Sequence, residues 1–386
     1  MHTARYFRNA RPRNYFCAGL FAAALLFGAN GYAQTIAETK KLSTEKITLV
    51  NQAAATFLKT TKTPGVGVAI VLDGATVWES GYGMADLENS VPATRETLFR
   101  LASVSKPMTA VAITQLYERG KLDLDADVQK YCPAFPKKEW PITARELLGH
   151  LGGIRHYDSD GKRDIPEDSS KHFASMEESL KIFENDPLVA QPGTKFQYST
   201  YGYTLLGCVL EGASSEKYVD YMRENVFRPA GMEQTQADDV FAVIPHRARW
   251  YHKTKAGDVQ NAGVLDSSYK IPGGGFISSA TDMARFELAV MDGKLLKDAS
   301  RELMWTPEKT TEGTSTRYGF GWGVEQKYGM TLYAHTGGQQ GTSTSILLAR
   351  GRRAGIVVLT NMDGVDAASL SEEILRIVLD LKNAKP

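Results

Sequence analysis

Strand-forming runs lie at both ends of this chain, and the long middle has almost none. Near the start, Val66–Leu72 and Ala75–Ser80 are joined by Asp73-Gly74, and Asp-Gly between two β-rich runs signals a hairpin. Near the end, Tyr318–Val324, Thr331–His335, Ser343–Ala349 and Ile356–Thr360 read as strands, with Gly351-Arg-Arg-Ala-Gly355 as the turn between the last two. A helix over residues 44–60 opens this part of the chain, and one over about Ala367–Leu381 closes it, with Leu370, Ile374, Ile377, Val378 and Leu381 at helical spacing. Between the ends, Thr109–Tyr117, Ala144–His150, Ser175–Asn185, Tyr201–Gly212 and Glu216–Val226 read as helices separated by Pro- and Gly-rich loops. The simplest architecture is α/β (α+β). A five-stranded antiparallel sheet forms from both chain ends, about 46–100 and 270–386. Helices flank it, and a mostly helical region, about 107–265, is inserted. A cleft at that junction is where a ligand site is expected.

The first 33 residues carry Arg5, Arg8, Arg11 and Arg13 and no acidic residue, followed by an apolar run from Tyr15 to Phe27 and then Gly31-Tyr32-Ala33. This is the charged, apolar and small-residue order of a secretory leader cleaved after Ala33. It places residues 34–386 in the periplasm or outside the cell; an uncleaved anchor or a mitochondrial transit peptide is the alternative. Taking those four arginines from the 45 basic residues leaves 41 against 44 acidic ones, a net of −3. That balance gives no support for a nucleic-acid partner, which would need a clustered basic face. No later segment has the length of a membrane span. Cys17 leaves with the leader. Cys132 and Cys208 remain, and spacing alone cannot decide whether they pair. Cys208 lies in an apolar helical run and reads as a buried thiol.

Ser-x-x-Lys occurs five times, at Ser43, Ser103, Ser159, Ser214 and Ser267. On a helix the two positions share a face, so the lysine can accept the serine proton and make a nucleophile. Ser103 stands apart because a strand-like approach precedes it and a long apolar helix follows. Pro107 comes directly after Lys106, and proline is tolerated in a first helical turn. Ser103 therefore sits at the positive end of a helix dipole.

Phe99-Arg-Leu-Ala-Ser-Val-Ser-Lys-Pro-Met-Thr109, Leu147–Tyr157, Gln191–Tyr203, Gly273–Phe286, Tyr318–Gly323 and His335-Thr-Gly-Gly338 together resemble, in this order, the serine β-lactamase and penicillin-binding-protein superfamily in its class-C-like branch. The Ile154-Arg-His-Tyr157 stretch is most like the mitochondrial-type serine β-lactamase-like proteins and their bacterial relatives. The resemblance implies a β-lactamase/transpeptidase-like fold with Ser103 as nucleophile, Lys106 as proton acceptor, and Tyr198 as general base and then acid. It also implies an oxyanion hole from the backbone N–H groups of Ser103 and Gly338, with Thr200, His335 and Gly338 binding substrate.

Three of these positions depart from the family pattern. Thr200 replaces an asparagine, His335 a lysine, and Gly338 a residue that often bears a hydroxyl. An unperturbed histidine is mostly neutral near pH 7, so a substrate carboxylate loses part of its anchor. The expected activity is an exported serine hydrolase acting on an amide or ester of a small or cell-envelope peptide. The alternatives are a weak β-lactamase or esterase, or a non-catalytic penicillin-binding or sensory protein. The substrate is a small molecule or peptide, and no cofactor is called for. His150 and His156 read as loop residues near the cleft, not metal ligands, because His-Glu-x-x-His and His-x-His-x-Asp are absent.

Overall fold

The computed structural model describes residues 41–157 and 169–382. The expected leader and the Ser159 occurrence lie outside them. The first helix, α1 (Thr44–Thr61), starts at Ser43, whose hydroxyl accepts the Lys46 N–H. The hairpin follows as β1 (Gly65–Leu72) and β2 (Ala75–Asp86), turning through Asp73 and Gly74 at φ 54° and 83°. Both positive values are what a two-residue hairpin turn of the I′ kind requires. A short β3 (Val91–Pro92) pairs with the end of β2. The second half of the sheet is β4 (Gly323–Lys327), β5 (Met330–Gln339), β6 (Thr342–Ala349) and β7 (Ala354–Thr360).

The strand order is β3-β2-β1-β7-β6-β5-β4, antiparallel throughout. The two chain ends meet at β1 and β7, where Val68 lies opposite Val358. The sheet has seven strands, not the five expected. Val91–Pro92 is too short to read as a run, and Glu325, Gln326 and Lys327 give β4 a polar edge. The expected strand over Tyr318–Val324 is also corrected. Residues 318–321 form a loop that turns at Gly321, φ 76°, and the strand begins only at Gly323.

Period-two alternation sends the two faces of the sheet into different cores. Val66, Val68 and Ile70 of β1 pack with Ile356 and Val358 against α1 and the closing helix α5 (Ala367–Leu379), which contributes Leu370, Ile374 and Val378. Each such aliphatic side chain stabilises the fold by about 1.5–3 kcal/mol relative to exposure. Ala69, Val71, Val357 and Leu359 face the larger core. That core is shared with α2 (Ser105–Glu118), α3 (Thr200–Ser214), α4 (Ala280–Met291) and the short helices of the middle region. Those short helices are clipped relative to expectation. Ala144–Leu148 ends where His150 takes φ 59°, and Met176–Leu180 is one turn long.

Cys132 and Cys208 form a disulfide, with Cα atoms 5.5 Å apart, which corrects the reading of Cys208 as a free thiol. The pairing depends on Gly212. A Cβ there would lie 1.7 Å from the Tyr131 carbonyl oxygen, so only glycine lets that loop press onto α3. The bridge closes a segment that includes His150, Tyr198 and Thr200.

Candidate active site

The strand Phe99–Arg100 pairs with Phe276–Ser278, and the chain then turns through Ala102 at φ 47° into the 3-10 turn Ala102–Val104 and α2. A left-handed alanine costs about 1–2 kcal/mol, and it persists where the surroundings over-determine it. Arg100 supplies much of that constraint. Its fully buried guanidinium pairs with Asp238 at 2.6 Å and donates to the carbonyls of Leu265 (2.8 Å) and Gln340 (3.3 Å). Its Cζ lies 3.4 Å from the Trp250 ring centroid. Thr342 and Thr344 of β6 donate to the carbonyls of Arg100 and Leu101. The nucleophile segment is thus tied to the start of β6. Gly337 completes the approach, since a Cβ there would lie 2.4 Å from the Leu101 carbonyl oxygen and 3.1 Å from Ala102 Cβ.

Lys106 is completely buried in the second position of α2. Its Nζ lies 3.1 Å from Ser103 Oγ, 3.2 Å from Thr200 Oγ1 and 2.7 Å from the Gly273 carbonyl oxygen. Burial pushes its pKa well below the ordinary lysine range, and the charge of Lys270 pushes the same way. A neutral amine has two N–H donors and one lone pair. Gly273 O and Thr200 Oγ1 can take the donors, which turns the lone pair toward the Ser103 proton.

Tyr198 hydrogen-bonds Ser103 from the other side, and desolvation raises its pKa, so the phenol stays protonated at neutral pH. Its ring centroid is 4.8 Å from Lys106 Nζ and 4.3 Å from the His150 ring. Two imidazoles fix the start of α3. His150 Nδ1 accepts the Ser199 N–H and His156 Nδ1 accepts the Thr200 N–H, both at 3.2 Å, while the Ser199 hydroxyl accepts from Gly202. These are backbone donors that no helical carbonyl can reach. Both histidines therefore serve the helix start that carries Thr200, and Nε2 bears the proton in each neutral ring. Thr200, in place of an amide, still reaches Lys106.

His335 is buried on β5. Its Nδ1 lies 2.6 Å from the Thr336 carbonyl oxygen and its Nε2 2.9 Å from the Tyr318 hydroxyl. Burial holds its pKa down to about 3. It is a neutral ring at any physiological pH. Gly338 is exposed, and a Cβ there would meet nothing within 4 Å, so this position opens into space beside Ser103's segment.

Ser103, Lys106, Tyr198, Thr200 and His335 are thus brought together, with Gly338 further along β5. The other described Ser-x-x-Lys pairs go elsewhere. Ser43 caps α1 while Lys46 pairs with Asp380. Ser214 ends α3, donating to the Glu216 carbonyl. Ser267 precedes the 3-10 turn Ser268–Lys270, whose lysine is buried over the rings of Tyr157 and Tyr269. Arg100, Tyr318 and Lys270 were not singled out from the sequence. Arg100 and Tyr318 lay inside the family-like segments and Lys270 ended the Ser267 Ser-x-x-Lys occurrence, but nothing in the residue types gave any of them a role.

Among the described residues, no group of His, Cys, Asp and Glu converges to hold a metal, and no helix is long and apolar enough to cross a membrane.

Comparison with known proteins gives the same fold and family. Residues 50–379 match the Beta-lactamase family profile. The mitochondrial serine beta-lactamase-like protein LACTB of Homo sapiens is 35% identical over 375 aligned positions, covering 74% of this chain and 68% of that protein. The octameric penicillin-binding protein homologue from Pyrococcus abyssi superposes with a TM-score of 0.75 at 26% identity, over 87% of this chain and 78% of that one. The D-amino acid amidase from Ochrobactrum anthropi SV3, complexed with D-phenylalanine, has a TM-score of 0.71 at 25% identity, over 86% and 99%. The chain belongs to the Beta-lactamase family and is a serine hydrolase of the β-lactamase and penicillin-binding-protein kind.

Proposed function

We propose that the protein is an exported hydrolase that forms an acyl-enzyme at Ser103 and cleaves an amide or ester bond in small or cell-envelope peptides. The observation that carries this reading is the position of Lys106 Nζ, buried and 3.1 Å from Ser103 Oγ. Ser103 loses its proton to Lys106 as Oγ bonds to the substrate carbonyl carbon. The negative oxygen that forms is stabilised by the backbone N–H groups of Ser103 and Gly338. Collapse breaks the bond to the leaving group, which takes a proton from Tyr198; the phenolate left behind takes up the proton that Lys106 holds, whose Nζ lies 4.8 Å from the tyrosine ring centroid. Water then repeats the sequence on the acyl-enzyme and frees Ser103.

Likeness to the D-amino acid amidase supports an amide substrate, and likeness to the penicillin-binding protein homologue supports a cell-envelope peptide. The Cys132–Cys208 disulfide supports an oxidising compartment, in keeping with the leader. The test is a comparison of kcat/KM over D-amino-acid peptides, p-nitrophenyl esters and a chromogenic β-lactam. Peptides and esters are expected to be turned over and the β-lactam poorly. A β-lactam preferred over every peptide would overturn the substrate assignment.

A further inference from the structure

We propose that His156 is a positioning residue through which pH governs the Ser103–Lys106 pair: its neutral ring holds Thr200 against Lys106, and its protonated ring releases Thr200. The inference rests on the acyl-enzyme reading of Ser103.

Thr200 is the first residue of α3, where a backbone N–H finds no helical carbonyl. That N–H donates to His156 Nδ1 at 3.2 Å, and the Thr200 hydroxyl oxygen accepts from Lys106, also at 3.2 Å. Lys106 in turn reaches Ser103 Oγ at 3.1 Å. One imidazole lone pair thus holds the residue that aims the amine. The ring itself is seated between two others. It stacks on Tyr157 with centroids 4.2 Å apart and meets the Tyr198 ring edge-on at 5.4 Å. A shift of His156 is therefore felt at Tyr198 as well as at Thr200.

A proton on Nδ1 reverses the contact. An imidazolium has two N–H donors and no acceptor, so Nδ1–H would face the Thr200 N–H across 3.2 Å. Two donors repel there, and the start of α3 moves off. Lys106 then loses Thr200, one of the two acceptors that turn its lone pair to Ser103. His150 makes the matching contact one residue earlier, accepting the Ser199 N–H at 3.2 Å. The two rings differ in their access to protons. His150 is buried, and desolvation holds its pKa well below the ordinary histidine range, whereas His156 is half-buried. The sensing falls to His156. The titratable and charged groups around it are Tyr157, with Lys270 over that ring, Tyr198, His150 on the same loop, Lys106 beyond Thr200, and Arg155, which pairs with Asp186.

The experiment measures p-nitrophenyl ester kcat and KM, and the rate of fluorophosphonate labelling at Ser103, from about pH 5 to about pH 8 in the native enzyme, His156→Asn and His156→Leu. Asparagine puts an amide oxygen where Nδ1 stands and does not titrate in this range, while leucine offers no acceptor. Toward acid the native rates should fall with two ionisations, those of Lys106 and His156, and the His156→Asn rates with that of Lys106 alone. The ratio of native to His156→Asn rates should therefore drop about tenfold from the basic to the acid end. His156→Leu should lower kcat about tenfold even at the basic end, with KM within about twofold of native. A ring with a merely structural role would give a native to His156→Asn ratio that does not move with pH, and that result would overturn the inference. A native kcat in His156→Leu at the basic end would overturn it too. Labelling separates the two levels: Ser103 labelled with no change in pH profile sinks the His156 inference alone, and no label on native Ser103 sinks the acyl-enzyme reading beneath it.

Discussion

Ser103–Lys106 and Ser267–Lys270 have the same spacing, both run through a 3-10 turn, and both end in a buried lysine. In the first pair the lysine enters α2, and its amine returns to the serine at 3.1 Å. In the second the turn runs on into Ile271–Gly274, the amine lies over two tyrosine rings, and the Ser267 hydroxyl is buried with no hydrogen-bond partner among the described residues. The spacing is identical and the chemistry is not. A dyad needs a helix that returns the amine to the serine and a set of acceptors that aims the lone pair. Gly273 and Thr200 supply that set for Lys106. Lys270 acts on the first pair instead, as a nearby positive charge that helps keep Lys106 neutral.

The largest predicted effect separates the serines. Ser103→Ala should lower p-nitrophenyl ester turnover by about 10³-fold or more, as loss of a nucleophile does, while Ser267→Ala changes it by about twofold at most. Comparable losses would erase the distinction between the pairs. The lysines sharpen it further. Removing the Lys270 charge stabilises the ammonium form of Lys106, raising its pKa. In Lys270→Met the acid limb of the kcat/KM profile should therefore move to higher pH, with Lys270→Arg restoring it. An unmoved limb in Lys270→Met would mean that the two amines do not sense each other. The smallest effect belongs to a third occurrence. Ser43 only caps α1, so Ser43→Ala should cost about 1 kcal/mol in a thermal melt and leave turnover alone.

Much of the fold could be read from period-two runs and from Asp73-Gly74, because a one-sided strand writes its burial into its sequence. The strands β3 and β4 could not, since one is two residues long and the other has a polar edge. The disulfide was hidden for another reason: the packing at Gly212 that brings Cys132 to Cys208 joins segments far apart in the chain. At the site, motif order placed Ser103, Lys106, Tyr198, Thr200, His335 and Gly338 on the right segments. Arg100, which ties down the nucleophile segment, and Lys270, whose charge acts on Lys106, work through burial and long-range contacts that their local sequence does not reveal. The neutral state of His335 is the clearest case. Sequence alone says only that histidine is mostly neutral, and burial makes it so.

The central claim is that Lys106 makes Ser103, and no other serine, the nucleophile. Incubating the protein with a fluorophosphonate probe and mapping the adduct by peptide mass spectrometry tests it directly. The mass should appear on the peptide containing Ser103, and should vanish in both Ser103→Ala and Lys106→Met. A label on the Ser267 peptide, or one that persists in Ser103→Ala, would contradict it.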